Sequence, residues 1–177
     1  MDWKNKFKDE MKGGGDFIKL KDGDEIMGVF RGEPVVYFKA FEQETKTSII
    51  KKEYFEHNGK SAQKRFRFNF ITKVGDKHVC RIFEGSKTAG ESLSMALDEY
   101  DIVSTVFKIK RVGSGMQDTT YHFMFKDKLS PEQVKKIDAI ELLDIDPIEG
   151  GSDPVADSFP ETVAEVMAKG KTEKVPF

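Results

Sequence analysis

The residues best suited to chemistry alternate along one stretch of chain. Between Lys64 and Lys73, Phe66, Phe68 and Phe70 are interleaved with Arg65, Arg67 and Asn69. Successive side chains of a strand point to opposite faces, so the rings take one face and the guanidinium groups the other. Further on, Arg81 and Phe83 share a face opposite Cys80 and Ile82, and Lys108 and Lys110 point away from Phe107 and Ile109. Tyr37, Lys39 and Phe41 lie upstream, and Tyr54 and Phe55 sit in a polar stretch with Lys46, Lys51, Lys52 and Lys60. Cations displace counterions from phosphates, and rings stack on unpaired bases for about 1–3 kcal/mol each. A single strand of nucleic acid needs that mixture. Lys39, Arg65, Arg67, Arg81, Lys108 and Lys110 are therefore the expected phosphate contacts, and Tyr37, Phe41, Tyr54, Phe55 and Phe83 the stacking candidates. Any one of these cations is most simply a solvated surface charge; the interleaving on three strands carries the reading.

Other chemistry finds less footing. Asp22, Asp24 and Glu25 crowd together as the carboxylates of a metal-dependent nuclease do, but an Asp-Gly pair is first a turn signal. His78 and Cys80 share a strand face, with His57 and His122 elsewhere, yet structural zinc prefers several cysteines at short spacing. No motif frames a nucleophile and a base. Gly113-Ser114-Gly115 precedes a strand instead of a helix, so it reads as a turn and not a phosphate loop. The expectation is a protein without catalytic activity, cofactor or metal.

The elements that must position these residues fit within 177 residues, room for one domain and a tail. The lone cysteine, Cys80, allows no internal disulfide and suits a reducing compartment. The first residues carry no apolar run behind their charges, unlike a signal peptide, so a cytoplasmic location is expected, the host cytoplasm if the source is a bacteriophage. The net charge of −2 hides an asymmetry: residues 1–128 hold 24 Lys and Arg against 20 Asp and Glu, and residues 129–177 hold 5 against 11. Eighteen of the twenty aromatic residues also lie in the first 128. A basic aromatic domain before an acidic tail fits a nucleic-acid binder, while the tail alone fits a solvated helix with a loose end. Tethered to a basic groove, such a tail is at high effective concentration there, and could fill it when DNA is absent.

Residues 2–12 read as an amphipathic helix, with Trp3, Phe7 and Met11 on one face and Lys4, Lys8 and Lys12 beside it; Gly13-Gly14-Gly15 ends it. Docking on its own domain is the simplest role for this arm. Strands are expected over 17–20, 25–31, 35–40, 64–73, 78–83, 103–111 and 121–126, with a hairpin at Asp22-Gly23 and a long loop over 42–63. A helix is expected over 89–100. Ser130, Pro131 and Gln133 start another, running to about Leu143. A linker follows, and Ser158 with Glu161 could cap one more short helix before Gly170.

With a helix between the third and fourth main strands, this order is that of an OB-fold, a five-stranded Greek-key barrel. A plain antiparallel sheet with one covering helix is the rival. The expected layout is an N-terminal arm (1–15), a mainly β OB-fold-like domain with its helix (16–128), and a C-terminal helix with an acidic tail (129–177).

A basic, aromatic OB layout closed by an acidic tail and the tip Pro176-Phe177 resembles the single-stranded DNA-binding proteins of bacterial and bacteriophage replication. The resemblance is one of layout over most of the chain, and its short motif is the Pro-Phe pair. It implies sequence-independent coating and protection of single-stranded DNA in replication, recombination and repair, with partner enzymes recruited through Pro176 and Phe177. Lys171, Thr172, Glu173, Lys174 and Val175 stand where the family carries aspartates. The zinc cysteines of one phage lineage are absent. An RNA-binding OB module, a nuclease using Asp22, Asp24 and Glu25, and a protein-interaction factor whose acidic end mimics DNA are the alternatives.

Overall fold

The computed structural model describes residues 16–115 and 118–147; the arm, the acidic tail with Pro176 and Phe177, and the short helix expected after Ser158 lie outside them. Among the described residues the chain is mainly β, with two helices. Its backbone is one long strand, β1 (Glu25–Glu42). One edge of β1 is taken along most of its length by β5 (Gln63–Val74). The other is shared: its start pairs with β7 (Thr105–Val112) and its end with β2 (Thr47–Lys51). β6 (Lys77–Ser86) extends the sheet beyond β5 and β8 (Thr120–Lys128) beyond β7, all antiparallel, giving the path β6-β5-β1-β7-β8.

The strands expected over 25–31 and 35–40 are this one strand. Gly32, at φ +77°, admits a bulge instead of a turn. The register passes from Arg31 opposite Asn69 to Val35 opposite Arg67, so β1 gains two residues and keeps its alternation. Residues 17–20 form no strand: Phe17 bridges Ile82 alone, with the Ile82 N–H donating to the Asp16 carbonyl at 2.6 Å. Asp22-Gly23 does turn the chain, but the Gly23 N–H donates to the Arg111 carbonyl on β7, so the turn closes onto that strand. The expected loop over 42–63 holds β2 and a small hairpin, β3 (Glu56–His57) with β4 (Lys60–Ser61). Asn58 and Gly59 make its turn, both at positive φ, as a two-residue hairpin loop requires.

α1 (Lys87–Glu99), capped by the Ser86 hydroxyl accepting from the Ala89 N–H, covers one face. Ala89 and Leu93 bury there against Phe30, Phe66, Phe68, Phe70, Phe83, Phe107 and Ile109. α2 (Pro131–Asp138) covers the other, with Ile137 against Val29, Ile71 and Val106. Its capping box is formed as the sequence indicates, the Ser130 hydroxyl and Gln133 each accepting from the other's backbone N–H. It stops at Asp138, short of Leu143: the Ile140 N–H donates to the Ile137 carbonyl at 3.0 Å, and Leu143 spends its backbone groups on β5, as described below.

The sheet curls. Phe83 of β6 and Tyr121 and Phe123 of β8, from opposite ends of the path, bring their ring centroids within 5.2 and 5.5 Å. Rings, not backbone hydrogen bonds, join β6 to β8 among the described residues.

Candidate nucleic-acid interface

Arg65, Arg67 and Asn69 share a face as expected, but that face is covered. Arg67 is 4% exposed. Its guanidinium lies between the Phe17 ring at 5.0 Å and the Tyr37 ring at 4.9 Å, and its Nε donates to Glu84 Oε2 at 3.1 Å. Glu84 stands opposite Arg67 on β6 and also holds Arg65 at 3.2 Å and Lys39 at 3.6 Å. Burial pushes the Glu84 carboxyl up, but Lys39, Arg65 and Arg67 outweigh it and hold it below the usual carboxylate range. Tyr37 is fully buried. Its hydroxyl meets no aligned hydrogen-bond partner, and burial, then the Glu84 charge, pushes its pKa up.

The sequence assignments for these residues are therefore corrected. Tyr37 and Arg67 are parts of a buried ion cluster and present nothing to a ligand. Phe83, 2% exposed, is a core ring. Arg81 pairs with Phe70 in register and so stands on the α1 face, opposite Arg65 and Arg67. Lys108 pairs with Glu25 at 3.2 Å, and Lys110 lies opposite Glu25 in register. The six phosphate candidates do not form one groove.

The C-terminal segment helps to cover that face. Asn69, 4% exposed, donates to the Leu143 carbonyl at 3.0 Å and accepts from the Leu143 N–H at 3.2 Å. Arg31 Nε donates to Asp138 at 2.7 Å, Ile145 is buried, and Lys52 reaches Asp146 at 3.8 Å. Residues 138–146 thus run across the sheet towards β2, bringing the first acidic residues of the C-terminal segment onto the surface expected to hold DNA.

A second mixture of rings and cations, partly exposed, lies on the ribbon of β1, β2 and the small hairpin. Phe38 stands in register between Lys51 of β2 and Lys64 of β5, both exposed. The Tyr54 ring meets Phe38 edge-on at 5.9 Å and is 56% exposed; its hydroxyl donates to the Glu56 carboxylate and can accept from the Ser61 hydroxyl 3.0 Å away. Lys51 Nζ sits 4.9 Å over the Phe55 ring. Tyr54 and Phe55 are thus brought together as stacking candidates. Phe41 is also exposed, at 47%, but alternation places it on the opposite side of the ribbon with Tyr37 and Lys39. The hairpin is fixed to β1 by the hydrogen bond between His57 and Glu42, joined by Asn58; that bond to His57 holds the Glu42 carboxyl below its usual range.

Sequence reasoning missed Phe38 and Lys64 because each looked like part of a strand, and it missed the hairpin that presents Tyr54. The Asn58-Gly59 pair was the available signal.

Asp22 accepts from the Gly113 N–H, Asp24 from the Lys21 N–H, and Glu25 pairs with Lys108. Among the described residues no three His, Cys, Asp or Glu side chains gather as a metal site. No described helix is long and apolar enough to cross a membrane. No family model, characterised protein or solved structure matches this chain.

Proposed function

We propose that this protein coats single-stranded DNA without reading its sequence, as a non-enzymatic factor of replication, recombination and repair, and that its fold is a partly open OB-type barrel. The observation that carries the reading is the exposed Tyr54 ring with the half-buried Phe38 and Phe55 beside it, bracketed by the exposed Lys51 and Lys64. The strand path supports it: β6-β5-β1-β7-β8, with α1 between β6 and β7, is the OB order of strands 3-2-1-4-5. In OB-folds the loop after strand 1 helps to grip oligonucleotides. Under this assignment that loop is residues 43–62, which carry Lys51, Tyr54 and Phe55. The acidic tail would compete with DNA for this surface and, through Pro176 and Phe177, recruit partner enzymes. A bacteriophage source and a host-cytoplasmic location accompany this reading.

The test is a titration of the full chain with an oligo-dT strand, a matched RNA strand and a matched duplex across a salt series. Preference for the dT strand is expected, with a log–log salt slope of about −0.7 per phosphate contacted. Removal of residues 148–177 should tighten binding most at low salt. Equal or better RNA binding favours the RNA module, and no binding at low salt leaves the protein-interaction reading.

A further inference from the structure

A groove of about 830 Å³ separates α1 from β8, and the sheet does not fill it. Met95, Tyr100, Tyr121, Met124 and Phe125 line it, with Met95 73% and Phe125 47% exposed. Exposed apolar surface of this kind marks a binding site more often than a solvated wall, and the volume lies in the range of about 300–1,000 Å³ usual for ligand clefts. Glu99 also lines it, and α1 with its C-terminal flank carries Glu91, Asp98 and Asp101 against the single cation Lys87.

We propose that the groove is the docking site of the chain's own N-terminal arm, which enters as a helix with Trp3, Phe7 and Met11 inward. Two observations select this occupant. The arm has the complementary pattern: its apolar residues recur every fourth position, one face of a helix, with Lys4 and Lys8 beside them to meet the acids of α1. Its point of attachment lies on a groove-lining strand: Asp16 is hydrogen-bonded to Ile82 of β6, and Ser86 of the same strand lines the groove; because the Phe17–Ile82 bridge is parallel, the arm leaves towards Arg81 and the triglycine must turn it back. Glycine also lets the chain reverse where it leaves β6. Docking in this way would close the apolar gap beside β8, an edge strand of the sheet path.

Trp3 is the only tryptophan of the sequence, so its fluorescence in the full chain, without DNA, reports the arm alone. The expected result is blue-shifted emission protected from acrylamide and independent of protein concentration. The groove variants Ser92→Arg and Met95→Lys, both at exposed helix positions, should shift the emission to the red and remove the protection while far-ultraviolet circular dichroism stays unchanged. Phe7→Glu, which leaves the described domain untouched, should do the same. Three results would overturn the proposal: a solvent-exposed Trp3 in the unaltered chain, protection that survives the groove variants, or protection that grows with protein concentration, which assigns the arm to a neighbouring copy. None of these readouts depends on DNA binding.

Discussion

Asn69 and Leu143 exchange a pair of hydrogen bonds, side-chain amide to backbone, 3.0 Å in one direction and 3.2 Å in the other. The Asn69 carboxamide thereby acts as a peptide group standing out from β5, and it offers the returning chain the ladder contact of a neighbouring strand. The same oxygen accepts from the Cys80 thiol. This contact holds the acidic segment on the sheet.

Asn69→Ala should loosen that segment. The Leu143 N–H and carbonyl would lose their partner in a half-buried place, a cost of about 1–3 kcal/mol. The expected outcome is a lower urea midpoint and faster proteolysis after Leu143, with the far-ultraviolet spectrum retained. Unchanged midpoint and cleavage would show that Ile145 and the Arg31–Asp138 pair suffice to hold the strap.

The Glu84 cluster sets an acid limb of stability. Its carboxyl is held below its ordinary value of 4.5 in the fold, so as pH falls the unfolded chain takes up this proton first. The cluster's contribution is therefore complete above about pH 4.5 and is lost as pH drops through the lower folded value. Glu84→Gln should flatten the acid limb of a plot of urea midpoint against pH. At neutral pH it should destabilise by about 3–5 kcal/mol, because Arg67 is left buried, and Arg65 half-buried, without their counter-charge.

The sequence told more about faces than about exposure. Alternation on β5 correctly separated Arg65, Arg67 and Asn69 from the three phenylalanines, because a strand's side-chain period is fixed by its backbone. It could not say that the polar face would be dry. That depends on Phe17 folding back over Arg67 and on Leu143 meeting Asn69, contacts made across 50 and 74 residues of chain. Glu84 was equally hidden: one carboxylate among many in sequence, it becomes the hub of the cluster only through its register with Arg67. The caps at Ser86 and Ser130 are local, and the Ser130 capping box was legible. Tyr54 was legible as an aromatic among lysines, whereas its partner Phe38 required the register of β1 with β2 and β5.

Tyr37→Phe separates packing from polarity in the same cluster. The hydroxyl is buried without an aligned partner beside Glu84, so its removal should cost less than about 1 kcal/mol or stabilise slightly. The pKa of Tyr37 is raised above the ordinary 10.0. Its stabilising contribution is thus complete below pH 10 and lost as pH rises further, when the unfolded tyrosine ionises and the folded one does not. The variant should resist alkaline unfolding better than the unaltered chain and lose one late-ionising tyrosine from the ultraviolet titration, leaving Tyr121, which burial also raises.

Two sets of substitutions divide the buried cluster from the exposed ribbon. Lys51→Glu with Lys64→Glu places negative charge on both sides of Phe38 without touching the core, so it should weaken dT binding strongly, reduce the salt slope and leave the unfolding midpoint nearly unchanged. Tyr54→Ala should cost about 1–3 kcal/mol of affinity, one stacked base, again at constant stability. Arg67→Ala should behave oppositely. Loss of the guanidinium between Phe17 and Tyr37 and of the bond to Glu84 lowers the midpoint, while any chain that still folds binds DNA nearly as well as before. Arg67→Ala protein that is stable yet fails to bind, beside an unaffected Lys51 and Lys64 pair, would return the interface to the face now covered by residues 138–146 and make their release a step in binding.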